Sequence, residues 1–409
     1  MKRVLFLSLQ VSESASKGHL NPLIGVAQHV RRQGHEIGWM SLPRSMGAED
    51  SAQVRAAGAT IVPTPALADA AIPSGQELAR LALDPKRVWE AYRSFLLDAV
   101  PHLLDAVCRV IRSFAPNVIA VDCMAYAGII AAHRLGIPYL GVCAGLKILK
   151  AGAFQPAYMN DMSVLLPLRQ ALFDRYGLAP AFRLLECLSP FGNVVFTTRA
   201  FVGDLILPPN TYLVGPSTPL GPRGDEPPFP WEKLRHDKPI VYAAFGSVHT
   251  KDGLADIITP LREATGRLGA QLVVSSEALA ARDGVPTSDD DCLVVPYAPQ
   301  RQLLERVDAF LTHGGANSVM EALFAGTPLL IVPLSNDQPW QAHLVTRRGV
   351  GVHLERTALN VETCMGALAR LLAKQSEIRH NLAQVRASYL QHNGAQEAAQ
   401  ILLCLTERQ

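Results

Sequence analysis

The chain has 409 residues, of which 49% are hydrophobic and 18% charged, and its 38 basic and 36 acidic side chains give a formal charge of +2. This composition supports large buried cores and excludes a disordered protein. Because neither sign of charge forms a long run, nucleic acid is not an expected partner, and small molecules are. The length predicts two to three domain-sized units.

The sequence gives no indication of export or of a membrane span. No uncharged apolar window reaches about eighteen residues, and residues 1–9 are too short for the core of a signal peptide. We therefore expect a cytoplasmic protein. Seven cysteines, an odd number without a C-x-x-C pair, are typical of reduced core thiols rather than of disulfides or metal ligands.

In the first half of the chain, short apolar runs alternate with helical stretches. Residues 4–9 predict a strand, and a helix follows from about residue 22 to residue 33, with Pro22 in its first turn and Gly34 at its C-terminal end. Alternation of this kind predicts a parallel α/β sheet. Further strands are predicted at residues 37–42, 117–121, 139–142 and 194–197.

A proline-rich stretch separates this half from a second one. Residues 216–230 contain six prolines and cannot continue a helix or a central strand. We interpret residues 216–235 as a linker between an N-terminal domain, residues 1–215, and a C-terminal domain, residues 236–390. In the second domain the pattern restarts, with predicted strands at residues 239–245, 271–275 and 293–295 and a helix at residues 254–268.

A predicted strand, a tight turn and a helix follow one another from residue 309 to residue 324. The turn is Gly314-Gly315, where a diphosphate can approach the backbone closely. The first turn of the helix leaves N–H groups unpaired, and the helix dipole adds positive potential, so an anion is the expected occupant. An ordinary turn with a helix cap is the alternative for so short a match. The side chains that would assist binding are His313, Asn317 and Ser318.

Further polar residues flank this turn. Glu321 is suited to accept a hydrogen bond from a ribose hydroxyl, and Asp337 and Gln338 are suited to sugar hydroxyls, although Asp337 is also a good helix N-cap. Ser247, after the predicted strand 239–245, is either a diphosphate contact or a plain turn residue. Upstream, an aromatic face for a base and an amide for the nucleoside come from Tyr297, Ala298 and Gln300.

The stretch from His313 to Gln338 resembles the donor-binding motif of family 1 glycosyltransferases, the UDP-sugar-dependent group, with its pattern HGGxNSxxEAxxxGxPxxxxPxxxDQ. The resemblance implies an α/β protein of the GT-B fold, in which two Rossmann-like domains face each other across a cleft. It also implies that the terminal helix, in residues 391–409, crosses back to the N-terminal domain. Tyr297 stands where plant members carry tryptophan, which leaves a UDP-sugar and a TDP-sugar both open as donors.

His19 is the candidate catalytic base. It follows the first predicted strand in the string Lys17-Gly-His-Leu-Asn-Pro22, in a loop before the predicted helix, and ligands of open α/β sheets bind beyond the carboxyl ends of strands. The string resembles the catalytic-histidine motif of the same family, and Asp122 matches the aspartate partner of that histidine. The alternatives are a surface or cap histidine and an aspartate that caps the next helix.

The resemblance implies an inverting transfer of a hexose, glucose by preference, from the nucleotide diphosphate sugar to a hydroxyl of an apolar small molecule. Acceptors of the macrolide, polyphenol or carotenoid type all fit, and residues 72–97 and 146–188 are the predicted pocket lining. We expect a monomer or homodimer, with peripheral membrane association only for a lipid acceptor. A sugar-nucleotide epimerase of the same fold and a non-catalytic sugar-nucleotide-binding helper are the alternatives.

No cofactor or metal is expected. Residues 289–291, three aspartates, match the D-x-D pattern of metal-dependent sugar transferases only formally; they lie in a polar loop, and we interpret them as a solvated charge run. Arg301 and Arg306 are likewise expected to be solvated helix residues. A dinucleotide-dependent oxidoreductase is the least favoured class, because no G-x-G-x-x-G follows the first strand.

Overall fold

The computed structural model divides the chain into two units. It describes residues 1–11, 17–67, 77, 81, 87–150, 154, 162–221, 226–246, 254–280, 289, 291–335 and 337–407. Unit 1 comprises residues 1–197, 204–224 and 392–409, and unit 2 comprises residues 198–203 and 225–391. Each described unit is built around a parallel sheet, so the predicted α/β class is confirmed.

Unit 1 contains a sheet whose described strands follow the order β3-β2-β1-β4-β5-β8-β9, all parallel. The central strand β1 lies between β2 and β4, so the chain leaves β1 towards one edge and returns to the other side at β4. Open α/β sheets bind ligands at such a switch point. The strands of this unit are β1 Arg3–Gln10, β2 Glu36–Pro43, β3 Thr60–Ile61, β4 Val118–Asp122, β5 Tyr139–Cys143, β6 Phe182–Arg183, β7 Glu186–Cys187, β8 Asn193–Val195 and β9 Thr211–Leu213.

Helices cover this sheet. The helices are α1 Lys17–Arg32, α2 Ala48–Ala56, α3 Val88–Arg93, α4 Val100–Phe114, α5 Tyr126–Arg134 and α6 Leu165–Arg175, with a π-helical turn at Ser94–Asp98 and a 3₁₀ turn at Lys147–Leu149. Helix α4 buries Leu103, Val107 and Ile111, one apolar stripe at helical spacing, in the same cluster as Leu5, Leu7 and Val121 of the sheet. Strands buried on both faces give the continuous apolar runs that the sequence shows.

Unit 2 contains a second sheet, whose described strands follow the order β12-β11-β10-β13-β14-β15, again all parallel. Ala244 pairs with Thr312, and Thr312 pairs with Ile331. The last residues of β10, β13 and β14 therefore lie side by side, and the loops that follow these strands start next to one another. The carboxyl ends of these strands therefore share an edge. The strands are β10 Ile240–Ala244, β11 Gln271–Ser275, β12 Cys292–Val295, β13 Ala309–Thr312, β14 Leu329–Ile331 and β15 Gly351–His353.

The helices of unit 2 pack on this sheet. Among them, the helix that follows β13 begins with Gly315 at the N-cap position and ends at Gly326, whose φ of 81° only glycine adopts readily. The helices are α7 Arg199–Val202, α8 Ala255–Arg267, α9 Glu277–Ala280, α10 Gln300–Leu304, α11 Ala316–Ala325, α12 Gln338–Arg348, α13 Val361–Leu372 and α14 Glu377–Leu390, with 3₁₀ turns at Trp231–Lys233 and Arg356–Ala358.

The last helix, α15 Gly394–Cys404, belongs to unit 1 and packs against α1. Its first residue comes so close to the chain at residue 215 that a Cβ on Gly394 would lie 2.3 Å from the carbonyl oxygen of Gly215. Ser217 donates a hydrogen bond to the carbonyl of Pro22 at 2.7 Å, which fixes the start of the proline-rich stretch on α1. A final 3₁₀ turn covers Leu405–Glu407.

In the described part of the chain, no helix has the length and apolar character needed to cross a membrane. Six of the seven cysteines are buried free thiols, as expected for core residues, whereas Cys404 is exposed. It occupies the end of α15, where the amphipathic helix turns that position to solvent.

Candidate active site

Nδ1 of His19 lies 2.7 Å from Oδ2 of Asp122. Asp122 is the last residue of β4 and is 2% exposed, whereas the side chain of His19 is 28% exposed. A carboxylate can only accept, so this contact places the imidazole proton on Nδ1 and leaves Nε2 as the basic nitrogen. The geometry is that of a base held by a buried acid.

The second carboxylate oxygen of Asp122 has a separate task. Oδ1 accepts a hydrogen bond from the backbone N–H of Met124 at 2.8 Å, before helix α5 begins at Tyr126. The alternative that Asp122 caps the next helix is wrong, because the N-cap residue of α5 is Ala125 and no side chain of the described residues caps it; Oδ1 fixes the preceding turn, and Oδ2 faces His19. Both oxygens are held, so the carboxylate has little rotational freedom.

A neutral thiol follows this carboxylate. Sγ of Cys123 lies 2.9 Å from Sγ of Cys143, and this contact, together with complete burial, raises the pKa of Cys123 well above its ordinary value. The thiol therefore stays protonated and adds no second negative charge beside Asp122.

The prediction that His19 lies in a loop before the helix is wrong. Helix α1 begins at Lys17, so His19 is its third residue, and Pro22 lies inside the helix rather than at its first position. Proline removes only one intrahelical donor. Lys17 donates a hydrogen bond to Gln53 of helix α2, and Asn21 accepts one from the same residue, so both ends of the turn around His19 are held. Such contacts with a helix some thirty residues away leave no signal in the local sequence.

In unit 2, His313 leaves β13 and its ring lies against two glycine backbones. A Cβ on Gly246 would lie 3.1 Å from Cε1 of His313, and a Cβ on Gly315 would lie 2.6 Å from its Nε2. Gly314 has φ 91° and a Cβ there would lie 2.8 Å from Ile331. The three glycines are thus required by the close approach of a ring and a side chain, as well as by the turn itself.

Helix α11 begins directly after this turn and carries Asn317 and Ser318 as its second and third residues. One turn further, Glu321 is 8% exposed and accepts a hydrogen bond from Nε2 of Gln300 at 2.8 Å. The same Nε2 lies 3.3 Å from Oγ of Ser318. The structure therefore brings Gln300, Ser318 and Glu321 into one hydrogen-bonded group, although Gln300 and Glu321 are 21 positions apart in the chain.

Tyr297 and Ala298 lie between β12 and α10. The ring of Tyr297 is 43% exposed, which is unusual for an aromatic residue in this chain, and Ala298 beside it is 4% exposed. An exposed ring next to the Gln300 group offers a flat surface to a planar ligand.

Asp337 and Gln338 begin helix α12. Asp337 occupies the N-cap position, yet its side chain makes no capping hydrogen bond within the described residues. Gln338 is 6% exposed, and its Oε1 accepts from the backbone N–H groups of Leu334 at 2.7 Å and Ser335 at 2.8 Å. The glutamine thus holds the loop between β14 and α12, a role that the sequence did not indicate.

The remaining sequence-based expectations have mixed outcomes. Ser247 lies outside the described residues. Arg306 is exposed but not merely solvated, because its guanidinium carbon lies 4.2 Å from the ring centre of Trp231. Asp289 and Asp291 are paired with Arg262 and Lys238 respectively, so the aspartate run is not simply solvated. Within the described ranges, no group of three or more His, Cys, Asp and Glu side chains is placed to hold a metal ion.

The predicted acceptor lining is partly core. Among the described residues of these two regions, Val88, Phe95, Leu165 and Phe173 are buried in the main hydrophobic cluster of unit 1. Apolar composition alone does not distinguish a pocket wall from a core. Here these side chains belong to the core, in one cluster with helix α4 and the sheet.

Known proteins resemble this chain along its length. A family model described as UDP-glucoronosyl and UDP-glucosyl transferase matches residues 236–393. An uncharacterized UDP-glucosyltransferase, YdhE, from Bacillus subtilis is 26% identical over 91% of this chain and 90% of its own length. A zeaxanthin glucosyltransferase from Pseudescherichia vulneris is 26% identical over 75% of this chain and 79% of its own. The chain is therefore similar to UDP-sugar-dependent glycosyltransferases, through the family model in its C-terminal part and through these relatives along most of its length.

A solved structure extends the likeness to the fold. The structure of the glycosyltransferase VinC in complex with dTDP superimposes with a TM-score of 0.69 at 21% identity and covers all of both chains. The fold class is GT-B, with two Rossmann-like domains, as the motif implied.

Proposed function

We propose that this glycosyltransferase moves a hexose, glucose by preference, from a nucleotide diphosphate sugar to a hydroxyl of an apolar small molecule, with inversion at C1. The observation that carries the proposal is the 2.7 Å contact between His19 and Asp122. An acceptor hydroxyl must lose its proton as it attacks C1, and a neutral imidazole that carries its own proton on Nδ1 can take that proton at Nε2.

The chemistry is a single displacement. The acceptor oxygen bonds to C1 while the bond from C1 to the diphosphate oxygen breaks, and the proton of the hydroxyl passes to Nε2 of His19. Asp122 stabilises the imidazolium that forms and stays ionised itself. Because the oxygen attacks from the face opposite the leaving group, an α-linked donor gives a β-linked product.

Unit 2 supplies the groups for the donor. Glu321, already oriented by Gln300, accepts from a ribose hydroxyl, and Tyr297 offers its ring to the base. The N–H groups at the start of α11 meet the diphosphate, and the helix dipole offsets the charge of the departing group without a cation. The matched family model favours a UDP-sugar, while the dTDP bound to VinC keeps a TDP-sugar as the second donor to test.

The proposed acceptor is an apolar natural product with a free hydroxyl, of the carotenoid, macrolide or polyphenol type. The zeaxanthin glucosyltransferase, with 26% identity, supports this class, because zeaxanthin is a hydroxylated apolar molecule. Asp337 and Gln338 favour glucose over a deoxysugar, since a site built to hydrogen-bond sugar hydroxyls discriminates against a sugar that lacks one of them.

The test is mass spectrometry of products. The purified protein is incubated with UDP-glucose or TDP-glucose and a panel of hydroxylated apolar acceptors, with the His19→Ala variant beside it and EDTA in a parallel series. A hexose mass shift with the native protein alone, unaffected by EDTA and β-linked by NMR, is the expected result. Measurable UDP binding without product from any pair would favour the helper protein, and a changed sugar in recovered donor would favour the epimerase.

A further inference from the structure

A buried polar network joins helix α2 to the turn of α1 that carries His19. Nζ of Lys17 lies 2.9 Å from Oδ1 of Asp50 and donates to Oε1 of Gln53 at 3.2 Å. Nε2 of Gln53 in turn donates to Oδ1 of Asn21 at 3.2 Å. Both residues two positions away from His19, on either side of it, are therefore bonded to the same helix.

Asp50 is the centre of this network. Its second oxygen, Oδ2, accepts from Nε2 of Gln10 at 3.2 Å, and Gln10 is the last residue of β1. Asp50 is 3% exposed, Gln53 2% and Gln10 0%. A carboxylate so deeply buried requires its partners, so the network forms only when β1, α1 and α2 are in one arrangement.

The first turn of α1 depends on such support. Pro22 lies inside the helix and has no N–H with which to close an intrahelical hydrogen bond onto the turn that contains His19. The backbone hydrogen bonds of this turn are correspondingly fewer. Side-chain bonds to α2 and β1 supply the missing restraint.

We propose that Lys17, Asp50 and Gln53 are positioning residues for the transfer reaction, because they hold the turn of His19 while Asp122 holds its ring. The proposal rests on the function proposed above. The network and α2 belong to unit 1, whereas the groups proposed above for the donor belong to unit 2. Loosening the turn should therefore slow the chemical step and leave donor binding unchanged. A displacement of about 1 Å at a catalytic group is enough to cost on the order of 100-fold in rate.

The kinetic test compares two neighbouring acids. Asp50→Asn keeps the size of the side chain and removes its charge, whereas the control Glu49→Gln removes a carboxylate that lies 3.6 Å from the same Nζ of Lys17 but is 75% exposed. We expect Asp50→Asn to lower kcat roughly 10- to 100-fold with the donor KM unchanged, and Glu49→Gln to match the native protein. Lys17→Met should behave as Asp50→Asn does, and Lys17→Arg should recover most of kcat.

A spectroscopic test needs no acceptor. Ring ¹⁵N spectra, with the His19 signals assigned by their loss in His19→Ala, should show one Nδ1–H tautomer in the native protein and in Glu49→Gln, and a mixture in Asp50→Asn. Thermal unfolding and circular dichroism of each variant show whether it is folded, and Gln53→Glu provides a second variant should Asp50→Asn not fold.

The outcomes separate the two proposals. An unchanged tautomer together with native kcat in Asp50→Asn, or equal losses in Asp50→Asn and Glu49→Gln, would overturn the positioning role. If the native protein transfers no sugar while the tautomer still changes in Asp50→Asn alone, the proposed function is wrong, and the network orients His19 without serving a transfer reaction.

Discussion

The side chains of His19 and Asp122 meet at 2.7 Å although 103 positions separate them in the chain. One enters from the first turn of α1 and the other from the end of β4, and these two elements meet because β4 pairs with β1 in the sheet. The carboxylate fixes which ring nitrogen carries the proton, and this is a property that substitution can change without altering size.

Asp122→Asn should lower kcat by about 10³- to 10⁴-fold with UDP affinity unchanged. The amide donates to Nδ1 instead of accepting from it, so the imidazole proton moves to Nε2 and the base is lost. Steady-state kinetics and calorimetric titration with UDP measure the two effects. His19→Ala is the reference for complete loss of the base, and a native kcat in Asp122→Asn would remove the aspartate from the mechanism.

Glu321→Ala should weaken UDP binding roughly tenfold, because a hydrogen bond to a charged group contributes about 1.5–3 kcal/mol and Gln300 loses its acceptor as well. Calorimetric titration gives the dissociation constant. The control is Glu305→Ala, which removes an exposed glutamate at the end of α10 in the same unit. An equal dissociation constant for both variants would show that Glu321 makes no ribose contact.

Gly315→Ala should impair donor binding, since the new Cβ would lie 2.6 Å from Nε2 of His313 and must displace the ring. The matched change is Gly366→Ala in α13, where no atom lies within 4 Å of the new Cβ. That variant should bind UDP as the native protein does and gain up to about 1 kcal/mol in stability from helix propensity. Equal UDP affinity in both variants would contradict a donor-binding role for the turn.

Gln338→Glu separates two roles of one side chain. A glutamate retains an oxygen for the N–H groups of Leu334 and Ser335 but cannot donate, so the loop should keep its thermal stability while a hydrogen bond donated to the sugar is lost. We expect a several-fold higher KM for UDP-glucose and an unchanged affinity for UDP. Loss of UDP affinity as well would show that the side chain acts on the loop alone.

Local apolar runs, glycine conformation and a helix start were sufficient to predict the longer strands and the turn at Gly314 and Gly315. The short strands β3, β9, β14 and β15 were not predicted, because two or three residues give too weak a pattern. Strands β11 and β13 have the predicted bounds, residues 271–275 and 309–312. The partner of His19 required the resemblance to a family, since local rules do not pair residues so distant in the chain.

Other features depend on contacts that no local rule reveals. The start of α1 at Lys17 is supported by Asp50 and Gln53, which approach it only after β2 has folded beside β1. Likewise, Oε1 of Gln338 accepts a hydrogen bond from the N–H of Leu334 in its own loop. This contact depends on the rotamer of the side chain, which the hydrophobic periodicity of the sequence does not encode. The prediction of the acceptor lining included core residues such as Phe95 and Phe173 for a related reason, because pocket walls and cores have the same apolar composition.

His29 provides a pH-dependent test of unit 1. It lies on α1 with 6% exposure, and its Nε2 has no hydrogen-bond partner among the described residues. Burial, and secondarily the charge of Arg32, lower the pKa of His29 below its ordinary value. The folded state therefore favours the neutral ring. Above the unfolded pKa of about 6.5 both states are neutral and the full stability is present.

As the pH falls below that value, the unfolded chain binds the proton first, and stability decreases until the pH has passed the lower pKa of the folded state. His29→Leu removes this contribution, so its thermal midpoint should fall less than that of the native protein between pH 8 and about pH 5. The control His133→Leu changes an exposed histidine at the end of α5 and should retain the native pH dependence. Differential scanning calorimetry of the three proteins across this range measures the thermal midpoints. If the midpoints of the native protein and His29→Leu change in parallel with pH, protonation of His29 does not destabilise the folded state.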